Sequence, residues 1–163
     1  MANKEGADLF ISIHCNAHPK KDRHGTETYI MGSNSSKSNL AVAMRENSAI
    51  LQETNYQQTY EGFDPNSPVS YILLSNFQTA HQSNSLQLAA KVEQKFKQHT
   101  KRESRGVKQS GFWVLAKTGM PSILIETGFL TTPEEEKYLN SEQGQLMIAA
   151  SIYRAFRDYS YGL

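Results

Sequence analysis

The segment 121–139, "PSILIETGFLTTPEEEKYL", decides the fold class of this chain. Its apolar run at 122–126 has the length of a strand buried inside a protein. The polar residues that follow carry a helix start signal, with Thr132 as N-cap, Pro133 at the first helical position and Glu135 placed to close a capping box. A strand that leads directly into a helix is the unit from which α/β folds are built.

Strands and helices continue to alternate along the rest of the chain. Apolar runs predict further strands at 9–13 and 112–116, and the Thr- and Tyr-rich segment 25–32, bounded by glycines, predicts another. Apolar residues at helical spacing predict helices at 36–51, 85–96 and 142–159. Residues 55–80 are polar and turn-rich, and are interpreted as a surface excursion. We therefore expect a single α/β domain over 1–163, with a mostly parallel central sheet flanked by helices.

Composition limits the classes of function that fit this chain. The 163 residues carry seventeen Lys and Arg against sixteen Asp and Glu, a net charge of +1, so no nucleic-acid partner is predicted. The single cysteine cannot form an intrachain disulfide. No run reaches the roughly 18 apolar residues of a membrane span. The N-terminus lacks the basic flank and apolar region of a signal peptide.

Two titratable residues stand where predicted strands end. His14 follows the strand at 9–13, and Glu126 ends the strand at 122–126. Open α/β sheets gather their functional groups at the carboxyl ends of the strands. A neutral imidazole is a good zinc ligand, and a carboxylate near a zinc-bound water is a good general base. The pair predicts metal-assisted hydrolysis, although His14 by itself would equally suit a structural role.

Cys15 offers a competing chemistry, because a thiol beside a histidine suggests a cysteine hydrolase. Neighbouring residues on a strand point to opposite faces, so Cys15 should face away from His14. A role as a small buried apolar residue is therefore the preferred interpretation of Cys15. His18 and His24 fall in a polar loop, where we expect solvated side chains.

Five segments, taken in order, resemble the catalytic domain of the zinc-dependent N-acetylmuramoyl-L-alanine amidases of bacterial cell-wall turnover. They are "ADLFISIHCNA", "GTETY", "RGVKQSGFWVL", "PSILIETGFLTTPEEEKYL" and "IAASIYRAF". The resemblance covers residues 1–32 and 104–159, which makes it more specific than any one motif. The region around 35–103 fits the family only loosely and is interpreted as an insertion.

The resemblance implies a peptidoglycan substrate, a bound Zn²⁺ ion and a location in the cell envelope. The reaction it implies is hydrolysis of the amide between N-acetylmuramic acid and the L-alanine of the stem peptide. By the same resemblance His14 is a zinc ligand and Glu126 is the catalytic carboxylate. Glu27 of "GTETY" and Arg105 of "RGVK" are substrate-binding candidates, with a cross-strand role and an ion pair as their alternatives.

The chain also departs from the family pattern. The family domain opens with a strand and a Gly-rich turn that carry the first zinc-binding histidine, and the next helix supplies a glutamate ligand. Neither is found here, so the chain is expected to be N-terminally truncated relative to the family and to bind zinc weakly. His18, His24 or Glu27 are candidate replacements for the missing ligands. A peptidoglycan-binding or regulatory remnant without metal is the alternative function, and an uncovered sheet edge predicts a homo-oligomer.

Overall fold

The computed structural model describes residues 2–33, 36–75 and 80–162. Four strands lie within these ranges: β1 (Phe10–Asn16), β2 (Thr26–Met31), β3 (Ser104–Ser110) and β4 (Ser122–Phe129). The helices are α1 (Lys37–Asn47), α2 (Tyr56–Thr59), α3 (Pro68–Ser75), α4 (Gln82–His99), α5 (Trp113–Ala116), α6 (Pro133–Leu139) and α7 (Glu142–Ser160). A 3-10 helix, Ser48–Gln52, continues from α1.

The strands form one sheet in the order β1-β4-β2-β3. The pairs β1–β4 and β2–β3 are parallel, whereas β4–β2 is antiparallel. The predicted α/β fold with a mostly parallel sheet and flanking helices is therefore confirmed. Every residue of β2 and β4 is buried, as expected for the two inner strands.

Helices cover both faces of the sheet, and alternate residues of β4 enter the two resulting cores. Ile123 and Ile125 pack with buried residues of α4 and α7 on one face. Leu124 packs on the opposite face with buried residues of α1, α3 and α5. Because Glu126 is two residues beyond Leu124, its side chain lies on the same face as α1.

Side-chain caps explain where α1 and α7 begin. The Ser36 hydroxyl accepts a hydrogen bond from the Asn39 amide at 3.1 Å, which starts α1. The Ser141 hydroxyl does the same for the Gly144 amide at 3.0 Å, which starts α7. The helices predicted at 36–51, 85–96 and 142–159 are thus present.

One element prediction was wrong, and one strand was missed. Residues 112–116 contain the short helix α5 rather than a strand, because Phe112, Leu115 and Ala116 are buried at helical spacing while Val114 is 42% exposed. The segment 104–110 is the edge strand β3, for which the sequence predicted no element. An edge strand tolerates polar side chains, which hides it from a search for apolar runs.

The predicted capping box of α6 is also absent. Thr132 is the N-cap residue, but its hydroxyl donates to the Arg23 carbonyl at 2.6 Å instead of capping the helix. Glu135 does not reach back to Thr132, because its carboxylate accepts hydrogen bonds from the Arg102 guanidinium and the Gly25 amide. These contacts connect α6 to the loop before β2.

The region 55–80 contains α2 and α3, and residues 76–79 of it lie outside the described part of the chain. Residues 34 and 35 also lie outside the described part of the chain. The interpretation of 35–103 as an insertion stays a prediction. Among the helices described, none is both long and apolar enough to cross a lipid bilayer.

Strand β1 lies at one edge of the sheet, and this position predicts that copies of the chain associate. Its outer edge has no strand partner among residues 2–33, 36–75 and 80–162, and Ile13 on this strand is 60% exposed. An open strand edge with apolar side chains is a template for pairing with another chain. We expect size-exclusion chromatography with light scattering to show dimers or larger species that Ile13→Lys reduces. Leu146→Lys, at a 64% exposed position on α7, is the matched control, and a wild-type monomer at every concentration would contradict this prediction.

Candidate active site

Three predicted site residues form a row across the sheet. His14 on β1 is the register partner of Glu126 on β4, and Glu126 is the register partner of Glu27 on β2. Directly paired residues of neighbouring strands project from the same face. Both His14 and Glu126 lie inside their strands rather than at the ends that the sequence suggested. The antiparallel pairing of β2 places the start of that strand beside the latter half of β4, which brings Glu27 into the row.

Glu126 is a fully buried carboxyl group. It is 0% exposed, and neither carboxylate oxygen has a hydrogen-bond partner in the part of the chain that the structure describes. The closest cation contact is Arg45 Nη2, 4.0 Å from Oε1. Burial, with a further contribution from the Glu46 charge, raises the pKa of Glu126 to about 8, and His14 and Arg45 oppose this shift. Glu126 therefore holds its proton near neutral pH.

His14 is paired with an acidic residue of α1. Its Nδ1 lies 2.7 Å from Glu46 Oε2, and its Nε2 lies 2.9 Å from the Ser12 hydroxyl. The hydrogen bond to Glu46 raises the pKa of His14, although burial opposes it. Burial raises the pKa of Glu46, but the hydrogen bond from His14 outweighs it and the net shift is downward. Both shifts favour an imidazolium–carboxylate pair.

Arg45 connects α1 to the end of β1. Its guanidinium donates to the Ala17 carbonyl at 2.7 Å, to Asn16 Oδ1 at 2.8 Å and to Glu46 Oε1 at 3.2 Å. These bonds hold the side chains of two successive helical residues above Glu126. The buried state of Glu126 is thus produced by α1 as well as by the neighbouring strands.

Glu27 is the acceptor of a dense hydrogen-bond network. Its Oε1 accepts from Arg105 Nε at 2.7 Å and from Lys108 Nζ at 2.6 Å. Its Oε2 accepts from the Tyr29 hydroxyl at 2.7 Å and from Asn16 Nδ2 at 3.3 Å. Burial would raise the pKa of Glu27, but these donors hold it below its usual range. The two substrate-binding candidates, Glu27 and Arg105, are therefore in direct contact as an ion pair.

A cleft of about 310 Å³ opens beside this row, on the Glu27 side. Its wall includes the basic side chains of Arg23, Arg45, Arg105 and Lys108, whereas Glu27 is the acidic residue that lines it. The cleft is thus predominantly cationic and begins next to the buried carboxyl group of Glu126.

The residues around His14 can be compared with the ligands that a zinc ion needs. His14 and Glu46 converge to 2.7 Å, and an imidazole and a carboxylate are both ordinary zinc ligands. A catalytic zinc ion generally takes three protein ligands, and within the described ranges no group of three His, Cys, Asp or Glu residues is arranged to hold a metal. The residues described here therefore do not fit a complete zinc centre, and they supply two candidate ligands.

The other candidate ligands lie elsewhere. His18 Nδ1 accepts a hydrogen bond from the Lys20 amide in the loop after β1, and His24 is exposed. Cys15 was predicted to be buried, and this was wrong, because it is exposed with its thiol 3.3 Å from the Thr127 hydroxyl. Strand β1 lies at the edge of the sheet and is left partly uncovered. Cys15 is therefore exposed although the residues before it in the strand are mostly apolar.

Sequence reasoning missed Arg45 and Glu46, which make the closest contacts to the two main site residues. One signal was available. The helix predicted at 36–51 buries Ala43 and Ile50, and Glu46 falls three residues after the first and four before the second. A charged residue on the buried stripe of a helix needs a polar partner, and here that partner is His14.

The fold agrees with what comparisons with known proteins found. The model of the Amidase_3 family, described as N-acetylmuramoyl-L-alanine amidase, matches residues 1–158. The chain belongs to this family. The family resemblance inferred from five sequence segments is confirmed.

Individual relatives support the same assignment. The chain is 30% identical over 159 residues to N-acetylmuramoyl-L-alanine amidase AmiA of Escherichia coli, covering 98% of this chain and 54% of AmiA. It is 32% identical over 156 residues to AmiC of Neisseria meningitidis, covering 94% of this chain and 36% of AmiC. The crystal structure of an N-acetylmuramoyl-L-alanine amidase from Clostridium difficile 630 superposes with a TM-score of 0.64 at 26% identity, covering 97% of this chain and 60% of that one. The chain thus spans about half or less of the length of these two relatives.

Proposed function

We propose that this chain acts in peptidoglycan hydrolysis, cleaving the amide between N-acetylmuramic acid and the L-alanine of the stem peptide. The observation that carries the proposal is the buried Glu126 carboxyl group, which lies beside His14 with both oxygens unbonded among the described residues. Family membership supplies the reaction, and the named relatives support a site of action in the cell envelope.

In this proposal Glu126 is the general base. Amide hydrolysis requires a group that takes a proton from the attacking water and returns one to the leaving amine. Burial raises the pKa of Glu126 to about 8, so its ionised form, which gains population as the pH rises toward 8, takes the proton from water, and the carboxyl group so formed returns it to the amine. Arg45 lies 4.0 Å from Glu126 and Glu46 is bonded to His14, so we expect substrate that reaches Glu126 to displace these two side chains.

Zinc is the proposed cofactor, and His14 is its proposed ligand from β1. His14 and Glu46 converge to 2.7 Å, and loss of the imidazole proton would make both side chains available to a metal ion, because a metal ligand must be a neutral imidazole or a carboxylate. Substrate contacts are proposed for Glu27 and Arg105, which border the cationic cleft.

Weak zinc binding is expected from the incomplete donor set. After dialysis against trace zinc, the purified chain should retain well below one zinc ion per polypeptide, because two converging ligands do not hold the metal as three do. Elemental analysis is the measurement, with His14→Ala as the matched control. One zinc ion per chain that disappears in His14→Ala would contradict the expectation and would show that further ligands complete the site.

The proposed activity is tested by digesting purified peptidoglycan with the chain in excess zinc. We expect slow appearance of N-terminal alanine without new reducing sugar ends, since amide cleavage releases the first and glycosidic cleavage the second. Products with new reducing ends alone would refute amidase chemistry.

The alternative, a peptidoglycan-binding remnant without catalysis, is supported by the incomplete donor set. The same digestion separates the two functions when pelleting of the chain with insoluble peptidoglycan is measured in parallel. A chain that pellets with the wall but releases no alanine, with or without zinc, would favour the remnant over the enzyme.

A further inference from the structure

We propose that the cationic cleft beside Glu27 is a subsite for a free carboxylate of the acidic stem peptide. This inference rests on the proposed function for the identity of the peptide, and it adds the chemistry by which that peptide is held. The cleft, Glu27 and the three basic residues Arg23, Arg105 and Lys108 carry the argument.

The cleft contains more positive charge than its own acidic residue neutralises. Arg45 is already committed to Glu46, Asn16 and the Ala17 carbonyl. Of the remaining basic side chains, Arg105 and Lys108 share one carboxylate oxygen of Glu27. Arg105 also approaches Glu103 at 3.5 Å, but that carboxylate is 60% exposed and is screened by water.

Arg23 adds a cation without a local counter-charge. Its backbone carbonyl is held by the Thr132 hydroxyl at 2.6 Å, which fixes the loop at the cleft. Its side chain lines the cleft, and no ion pair to it occurs within the ranges that the structure describes. Together Arg23, Arg105 and Lys108 present three positive charges against the single carboxylate of Glu27.

The donors are also positioned by packing. The Arg105 guanidinium lies 5.8 Å from the centre of the Phe129 ring, and Lys108 Nζ lies 5.9 Å from the centre of the Tyr29 ring. Their side chains are 22% and 21% exposed, so they are partly removed from water. Arg105 gives Glu27 only its Nε–H, which leaves guanidinium N–H groups for a second, bidentate acceptor.

The cleft lies within reach of a peptide whose first amide is cleaved at Glu126. Glu27 is the register partner of Glu126, and such pairs stand about 5 Å apart at their Cβ atoms. A carboxylate in the cleft would therefore sit within a few residues of a bond that reacts at Glu126. The acidic residues of a stem peptide carry carboxylates at this distance from its first amide.

Binding in zinc-free buffer with a chelator tests this subsite independently of hydrolysis. The probes are N-acetylmuramoyl-L-alanyl-D-glutamate and the analogue in which both carboxylates are carboxamides, titrated by NMR chemical shifts. We expect the diacid to bind about tenfold more tightly than the diamide, as one hydrogen-bonded charge pair contributes roughly 1.5 kcal/mol. The preference should shrink several-fold in Arg23→Gln, a residue whose side chain has no described ion pair to lose.

Two further variants complete the experiment. Lys108→Gln should reduce the preference as well, with circular dichroism to verify folding because Glu27 loses a donor. Lys97→Gln, at an exposed position of α4, should leave it unchanged. Equal affinity for diacid and diamide, or a preference that survives in Arg23→Gln, would overturn the subsite. Inorganic phosphate that displaces the diacid at equal concentration would overturn its assignment to a peptide carboxylate.

Discussion

Glu126→Gln will stabilise the fold at neutral pH and will strongly reduce the proposed amidase activity. The carboxyl group is 0% exposed and its pKa is raised to about 8 from an ordinary value of 4.5. In the unfolded chain the same group ionises near 4.5. Between these two values the folded state binds more protons than the unfolded state, so stability falls as the pH rises. Glutamine is neutral at every pH and removes this loss.

The expected size follows from the interval between the two pKa values. At pH 7 the wild-type chain has lost on the order of 3 kcal/mol of unfolding free energy relative to acidic pH, at about 1.4 kcal/mol per pH unit. Below about pH 4.5 the wild type and the variant should have similar stability, because both side chains are then neutral. The difference should grow up to pH 8 and then stay constant.

Urea denaturation between pH 4 and pH 9 in zinc-free buffer measures this difference. Glu5→Gln, at an exposed position, is the matched control and should follow the wild-type curve. Release of N-terminal alanine from peptidoglycan is measured on the same preparations, where we expect a loss of at least about 100-fold for Glu126→Gln, since general base catalysis contributes that much. Full activity in this variant would remove Glu126 from the mechanism, and a parallel pH curve would show that its carboxyl group is not held neutral.

Arg102→Leu will lower the free energy of unfolding by about 3 kcal/mol, which is typical when one partner of a buried ion pair is removed. The guanidinium donates to both carboxylate oxygens of Glu135, at 3.2 Å and 2.5 Å, and to the Thr127 carbonyl at 2.6 Å. The two charged side chains are only 10% and 7% exposed. Loss of the cation leaves the Glu135 carboxylate buried with the Gly25 and Phe129 amides as its remaining donors.

A double-mutant cycle tests the origin of this effect. Glu135→Gln alone should cost less than Arg102→Leu, because the glutamine carbonyl still accepts from the Arg102 guanidinium, which also keeps its bond to the Thr127 carbonyl. The double variant should be more stable than the sum of the two single losses predicts. Glu61→Gln removes a salt bridge to Lys117 in which both side chains are well exposed, 67% and 42%, and it should change stability by less than about 0.5 kcal/mol. Additive single effects would show that Arg102 and Glu135 do not act as a pair.

The sequence predicted those parts of the fold that are encoded by local periodicity. The helices around α1, α4 and α7 and the inner strand β4 have unbroken apolar patterns, and each is present. The edge strand β3 was missed because its polar residues carry no such pattern. Residues 112–116 were misassigned because a run of five apolar residues does not distinguish a strand from a helical turn.

The site was partly predictable for a related reason. His14 and Glu126 each interrupt an apolar strand, which marks them without knowledge of the fold, and the structure makes them register partners. Glu46 and Lys108 were not found, because their importance depends on which helix covers the sheet and which strand lies next to β2. That information is long-range: Lys108 and its partner Glu27 are 81 residues apart in the chain.

The central position of β4 has a consequence for how the chain is assembled. In the order β1-β4-β2-β3, neither β1 nor the β2–β3 pair contacts the other until β4 is in place. Among the described strands, β1 therefore gains its neighbour only after more than 100 further residues are synthesised, as the pairing of Phe10 with Ser122 shows. Contacts between residues so distant in sequence form slowly. The strand that carries Glu126 is thus also the one whose late arrival completes the sheet during synthesis.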